Sequence, residues 1–204
     1  MSKNSVNILA IVGSYRKGGS IDSAIDQILS SAKAAGAETS KIYLIDKHLS
    51  FCTNCRSCTQ QAGPQYGACV LDDDMTGVLR ELERADALVL GSPMNAGTVT
   101  AVMKVFIERL VCTAYWPWGA LSPKYRNPEK KKQAVLVASS AAPAFMANFT
   151  GDVMGRLKTA ASMLGARSIG TLYIGLAAKQ QHQELSRRAR KKAQILGKKL
   201  AAGQ

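Results

Sequence analysis

The first things to read in this sequence are its gaps. No apolar run approaches the roughly 20 residues that a helix needs to cross a bilayer, so no transmembrane helix is expected. The opening stretch, MSKNSVNILAIVG, offers one lysine and a short apolar run, then passes through Gly13-Ser14 into a charged loop. It lacks the longer apolar region and small-residue cleavage site of a secretory signal and reads as a first buried strand. Histidine occurs twice, at His48 and His182, in no metal-binding or triad spacing. With G-x-S-x-G and H-E-x-x-H also missing, hydrolytic catalysis has little to stand on. No repeat, linker or low-complexity segment divides the 204 residues, which suffice for one domain, 1–204, with a real core.

Acidic residues are also scarce. Twenty-seven Lys and Arg face 14 Asp and Glu, a formal charge of +13. Much of the excess lies at Lys130-Lys131-Lys132 and in the last helix, at Arg187, Arg188, Arg190, Lys191, Lys192, Lys198 and Lys199. Such a surface attracts phosphates, acidic proteins, nucleic acid or lipid without choosing among them, and a solvated helix face accounts for it equally. The basic residues are not interleaved with aromatics, which disfavours nucleic acid.

What is present is alternation. Asn7–Val12 is a continuous apolar run of strand length, and Ile21, Ala24, Ile25, Ile28, Leu29 and Ala32 follow at helical steps. Ser20 is a plausible N-cap for that helix and Gly36 a stop. Lys41 to Ile45 reads as a second strand. Asp73 or Asp74 opens a helix carrying Met75, Val78, Leu79 and Leu82, which is also the reading preferred for Asp72-Asp73-Asp74 over a cation site. Ala87–Leu90 reads as a third strand and Ala134–Ala138 as a fourth. Between them, Thr98 can cap a helix with Val102, Val105, Phe106 and Leu110. A helix over 152–164, a strand over 169–174 and a basic helix from about Gln181 complete the pattern. Continuous apolar strands separated by helices predict an α/β fold with a doubly wound parallel sheet of order 2-1-3-4-5 and helices on both faces. Its ligand crevice lies beyond the carboxyl ends of strands one and three.

Strand one runs into Gly13-Ser14-Tyr15-Arg16-Lys17-Gly18-Gly19-Ser20 and then a helix. Glycines let backbone N–H groups turn inward, hydroxyls add donors, and the helix N-terminus adds positive potential, which together suit a phosphate. The P-loop lysine is missing, because Gly19-Ser20 stands where Lys-Ser/Thr belongs after Gly18. The dinucleotide fingerprint is missing too, because Tyr15 replaces its second glycine. A monophosphate remains.

Five cysteines occur, four of them within Cys52-x2-Cys55-x2-Cys58 and Cys69, in a loop at about 46–72; Cys112 stands apart and reads as a small buried residue. Without a signal peptide the expected compartment is the reducing cytoplasm, where clustered cysteines read as metal ligands or redox groups. The repeated C-x2-C-x2-C spacing favours an iron–sulfur cluster over zinc, disulfides or free thiols, all of which stay open.

The loop after strand one resembles the phosphate loop of the NAD(P)H-dependent FMN reductase and iron–sulfur flavoprotein families, which carry Gly-Ser-Pro-Arg-Lys-Gly-Gly-Asn-Thr there. Tyr15, Ser20 and Ile21 depart from that pattern. Gly91-Ser92-Pro93-Met94-Asn95-Ala96-Gly97-Thr98-Val99 is similar to the segment that wraps the flavin ring, with Asn95 where an aromatic is usual. Ser139-Ser140-Ala141-Ala142 takes the place of the third flavin loop without its glycines. The flavodoxin-like resemblance spans the chain and implies FMN held by Ser14, Arg16, Lys17, Ser20, Ile21, Pro93, Met94, Asn95, Ala96, Gly97, Thr98, Ser139 and Ser140. It implies a cluster, 4Fe–4S in type, on Cys52, Cys55, Cys58 and Cys69, with an Asp-Asp-Met like Asp73-Asp74-Met75 after them.

It further implies NAD(P)H as electron donor, and a homodimer or tetramer in which one subunit's cluster approaches its neighbour's flavin. The flavin does the chemistry, so no catalytic side chain is expected. The rivals are a non-enzymatic electron carrier docking an acidic, ferredoxin-like partner, and a zinc-containing nucleic-acid-binding module. Tyr115-Trp116-Pro117-Trp118-Gly119 is the exposed-looking aromatic cluster; it either shields the ring or meets a partner, or folds over its own domain.

Overall fold

The computed structural model describes residues 5–129, 131–146, 151–179 and 184–203. Lys130 and Gln181, near which the last helix is expected to begin, lie outside them. A five-stranded parallel sheet runs through the molecule in the order β2 (Glu38–Tyr43), β1 (Asn7–Val12), β3 (Ala87–Pro93), β6 (Lys132–Ser139), β7 (Ala166–Ile174). That is the expected order. A short antiparallel pair, β4 (Ala114–Tyr115) with β5 (Lys124–Tyr125), is inserted before β6.

The inner strands are apolar through their middles, at Ile8–Val12, Ala87–Leu90 and Ala134–Ala138, because both of their faces are covered. Leu9 and Ile11 of β1 and Leu88 and Leu90 of β3 point to one side, toward α2 (Met75–Arg84), α3 (Ala101–Arg109) and α4 (Val153–Met163). Ile8, Ala10, Val12 and Val89 point to the other, toward α1 (Ser20–Ala34) and α5 (Arg187–Ala201). Successive side chains of a strand face opposite ways, so two separate cores require an unbroken apolar run. Edge strand β2, by contrast, is only half covered, and its mixed composition obscures its limits. It ends at Tyr43, and Leu44–Asp46 turn as 3-10 helix rather than continuing the expected strand.

Two caps differ from expectation. Gly19, not Ser20, is the N-cap of α1, and no side chain caps that helix. Thr100, not Thr98, caps α3, accepting a bond from the Met103 N–H. Thr98 is instead spent closing a turn: Asn95 and Thr98 exchange backbone bonds of 2.9 and 3.0 Å around Ala96 and Gly97, both at positive φ. The left-handed pair suits a tight two-residue turn, and the chain needs two more residues before it can enter the helix. The final helix starts at Arg187, and β7 begins at Ala166, earlier than the expected 169. Among the described residues no helix is long and apolar enough to cross a membrane.

Candidate functional site

A cavity of about 270 Å³ opens beyond the carboxyl ends of the central strands. It is lined by Ser14, Tyr15, Arg16, Gly19, Ser20 and Ile21 from the loop after β1. Pro93, Met94 and Asn95 from the end of β3, Ser139, Ser140 and Ala141 from the end of β6, and Ala177 and Ala178 after β7 complete it. The crevice falls where the connections leave β1 and β3 in opposite directions, the switch point of such sheets.

The loop after β1 is shaped by its own side chains. Ser14 is buried; its hydroxyl accepts from the Arg16 N–H at 3.1 Å and lies 3.3 Å from the Arg16 carbonyl. The Asp22 carboxylate accepts from the Gly18 N–H at 2.7 Å and is held in turn by Lys41 (2.7 Å) and the Tyr43 hydroxyl (3.0 Å). Burial pushes the Asp22 carboxyl up, but these donors outweigh it and hold the group below its ordinary value. The first turn of α1, with no side-chain cap and with Ser20 and Ile21 on the cavity wall, leaves N–H groups available to an anion.

Tyr15, the departure from the family pattern, binds across the cleft: its hydroxyl accepts from the Ala101 N–H at 3.1 Å, the first donor of α3. Lys17 turns away from the cavity, its ammonium 2.7 Å from Asp46 and over the Tyr43 ring. Ala96, Gly97 and Thr98 form the turn behind the wall rather than the wall itself. The loops are laced together by Met94 N–H to Ser139 carbonyl (2.7 Å) and Ser140 N–H to Ile174 carbonyl (3.0 Å).

The four cysteines surround a different cavity, of about 240 Å³, shared with Arg56, Val70, Arg109, Cys112 and Trp116 among others. All are free thiols. Among the described residues no three His, Cys, Asp or Glu side chains converge closely enough for a single metal ion; the thiols line walls instead of meeting at a point. Burial first, and then the neighbouring Cys69, Cys52 and Cys55, push the Cys58 thiol up. Cys55 is exposed and is held below its ordinary value by the hydroxyl and backbone N–H of Ser57 and by Thr53. Cys112 is buried, pushed up to about 12 by that burial, and donates to the Arg109 carbonyl at 3.3 Å.

Three arginines give this loop its shape. Its ends are closed by the His48 and Ser50 N–H groups, each 2.8 Å from an acceptor on Asp74 and Asp73. Behind that closure Arg109 pairs with Asp73, their side chains 2% and 0% exposed. Arg126 donates to the carbonyls of Cys58, Gln61, Gly63 and Cys112 at 2.9 to 3.2 Å, so the long stretch from Gln60 to Ala68 folds back and returns Cys69 to the cavity. Gly67 makes this possible: its N–H bonds the Cys112 carbonyl, and a β-carbon there would collide with the Cys58 backbone.

Arg56, in the left-handed conformation (φ 60°), is sandwiched between Trp116 and Trp118 at 4.1 and 4.2 Å from their centres, and donates to the Trp116 carbonyl at 2.6 Å. The aromatic cluster therefore folds over its own cysteine loop. None of these arginines was expected from the sequence, although Arg109, three residues after Phe106 on the apolar stripe of its helix, carried a signal.

A larger cavity, about 610 Å³, lies at the opposite, amino ends of β6 and β7. Its cations are committed: Arg126 to carbonyls, Lys131 to Glu129, and Lys132 to the Leu82 and Glu83 carbonyls.

The chain is 35% identical to an iron-sulfur flavoprotein of Archaeoglobus fulgidus over 117 residues, 57% of this chain and 50% of the relative. It is 32% identical to one of Methanocaldococcus jannaschii over 104 residues, 51% of each. The chain thus spans about half the length of the curated relatives it matches. In fold it resembles the FMN-dependent NADH-azoreductase of Bacillus anthracis solved in complex with FMN. The TM-score is 0.71 at 13% identity, over 96% of this chain and 99% of that one, a likeness of fold alone. The family model for NADPH-dependent FMN reductases matches residues 6–180, and the chain belongs to that family.

Proposed function

We propose that this chain binds FMN in the cleft after β1, β3 and β6 and acts as an oxidoreductase, moving electrons between NAD(P)H or a redox protein and an acceptor. Cys52, Cys55, Cys58 and Cys69 would hold an iron–sulfur cluster. The observation that carries the reading is the cleft itself: three strand-end loops, laced to one another, meet at an uncapped helix N-terminus. When bound, FMN supplies hydride and one-electron chemistry and the cluster supplies single-electron transfer.

The chain's own part is to hold and orient. Ser14, Arg16 and the first N–H groups of α1 would take the phosphate, and Ser139 and Ser140 would close the wall beyond it. Pro93, Met94 and Asn95 would present the wall to the ring, with Asn95 giving polar contact where a stacking aromatic is absent. Small side chains at Ala141, Ala177 and Ala178 leave room for a flat ligand.

Four reduced thiols spread around a cavity suit a polynuclear cluster better than zinc, whose bonds of about 2.3 Å draw four sulfurs onto one point. The cleft and the cysteine cavity share no lining residue. A homodimer or tetramer, one copy's cysteine loop lying against another's cleft, would bring them together.

The test is an absorption spectrum of protein purified without oxygen, with flavin, iron, sulfide and zinc analysis. Flavin near one per chain, with iron and sulfide lost in Cys55→Ala, is the expected result. Flavin without iron after reconstitution would leave an FMN reductase and remove the cluster; failure to retain added FMN would overturn the whole reading.

A further inference from the structure

The buried pair under the cysteine cavity has a use that its stability alone does not explain. The Arg109 guanidinium touches three groups at once. One nitrogen donates to the Ser50 carbonyl at 2.9 Å and to Asp73; the other donates to Asp73 at 3.1 Å and lies 3.5 Å from the Cys69 sulfur. It is walled off from water, and it lines the cavity whose walls carry the four thiols. Its position is fixed from behind as well, because its carbonyl accepts from the Cys112 thiol. A planar fork with five donors can serve three acceptors in fixed directions, which an ammonium on a flexible stem cannot.

We propose that Arg109 is a positioning residue of the four-cysteine centre, whose N–H donated to the Cys69 sulfur raises the reduction potential of the cluster held there. This rests on the cluster reading above. Four thiolates and a cluster concentrate negative charge beside a guanidinium that is itself walled off from water, and reduction adds more. A hydrogen bond to sulfur and a nearby cation stabilise the reduced form more than the oxidised one. Asp73 sets the strength of that cation, since its carboxylate takes two of the guanidinium's bonds and offsets its charge. The two residues therefore act on the potential with opposite signs, which a loosened loop would not produce.

The test compares wild type, Arg109→Lys and Asp73→Asn, each reconstituted with iron and sulfide under nitrogen. Readouts are iron and sulfide per chain and a redox titration of the cluster followed by electron paramagnetic resonance. Arg109→Lys, which keeps a charge but loses the fork, is expected to make the cluster about tenfold harder to reduce, about 59 mV for one electron. Asp73→Asn is expected to shift it in the opposite direction. A cluster at the wild-type potential in Arg109→Lys, or shifts of the same sign in both variants, would overturn the proposal. If Arg109→Lys fails to fold or to load, Asp73→Asn decides: a rise supports the role and an unchanged or lowered potential ends it. Wild type that holds FMN but takes up no iron fails the cluster reading itself, and the proposal with it, before any variant is compared.

Discussion

The cleft at the strand ends and the cysteine loop are built on different principles. In the cleft, each of the first two loops has close-range bonds of its own, Ser14 to Arg16, Gly18 to Asp22 and Asn95 to Thr98, beside the longer ones that lace the loops together. The rigid sheet then delivers the finished loops to one place. In the cysteine loop many of the side-chain restraints come from farther along the chain, from Asp73 and Asp74 and then from Arg109, Arg126 and the Trp116–Trp118 segment, 23 to 68 residues away. The difference teaches where each site is fragile. A change in the cleft should stay local, because the sheet holds the neighbouring loops. A change in one of the arginines should release a whole segment, because the loop's own regular structure is a short 3-10 turn at Ser57–Thr59.

Removing the buried cation tests this most severely. Arg109→Met leaves Asp73 charged and unpaired behind the loop and should destabilise the protein by about 3–5 kcal/mol. It should also speed alkylation of Cys58 and Cys69 while leaving the cleft's FMN affinity nearly intact. Denaturant unfolding and timed thiol labelling measure both; a loss below about 1 kcal/mol with unchanged labelling would erase the contrast between the regions.

A smaller effect should follow acid. Burial pushes the Asp73 carboxyl up, but Arg109 and the N–H groups of Ser50 and Met75 outweigh it and hold the group at about 2, against an ordinary 3.8. A carboxyl lowered on folding stabilises fully above its unfolded value, so this contribution is complete above pH 4 and is lost as pH falls toward 2. It amounts to roughly 2 kcal/mol. The stability gap between wild type and Asp73→Asn in the apoprotein should narrow over that window, and a gap constant with pH would contradict the pairing.

The mildest change belongs to the cleft. Thr100 caps α3 and its hydroxyl donates to the Gly13 carbonyl at 2.5 Å. Thr100→Ala should therefore cost about 1 kcal/mol and weaken FMN retention, with cysteine labelling unchanged. Altered labelling in this variant would mean that the two regions are coupled after all.

The same contrast explains what could be read in advance. The order of the sheet was legible because a strand buried on both faces must be apolar at every position, as Ile8 to Val12 and Ala87 to Leu90 are. The turn from β1 into α1 was legible because its glycines and hydroxyls act within a few residues of one another. Errors gathered where local signals compete: Thr98 and Thr100 are equally good caps by type, and only closure of the Asn95–Thr98 turn selects the second. Lys17 stands in a phosphate-loop pattern, yet Asp46, brought alongside by β2, turns its ammonium away.

By itself, then, the sequence determined a doubly wound sheet, a glycine- and hydroxyl-bearing loop between its first strand and helix, and four cysteines of which three stand in C-x2-C-x2-C spacing. Only the tertiary structure decided how those cysteines face one cavity. Spacing governs which thiols can turn toward a common centre, but the burial that raises Cys58, the stacking that holds Arg56 in a left-handed turn and the guanidinium set against Cys69 depend on side chains from the far end of α3 and beyond. Periodicity records which face of an element is apolar; it carries no record of which distant charge that face will meet once the chain has closed on itself.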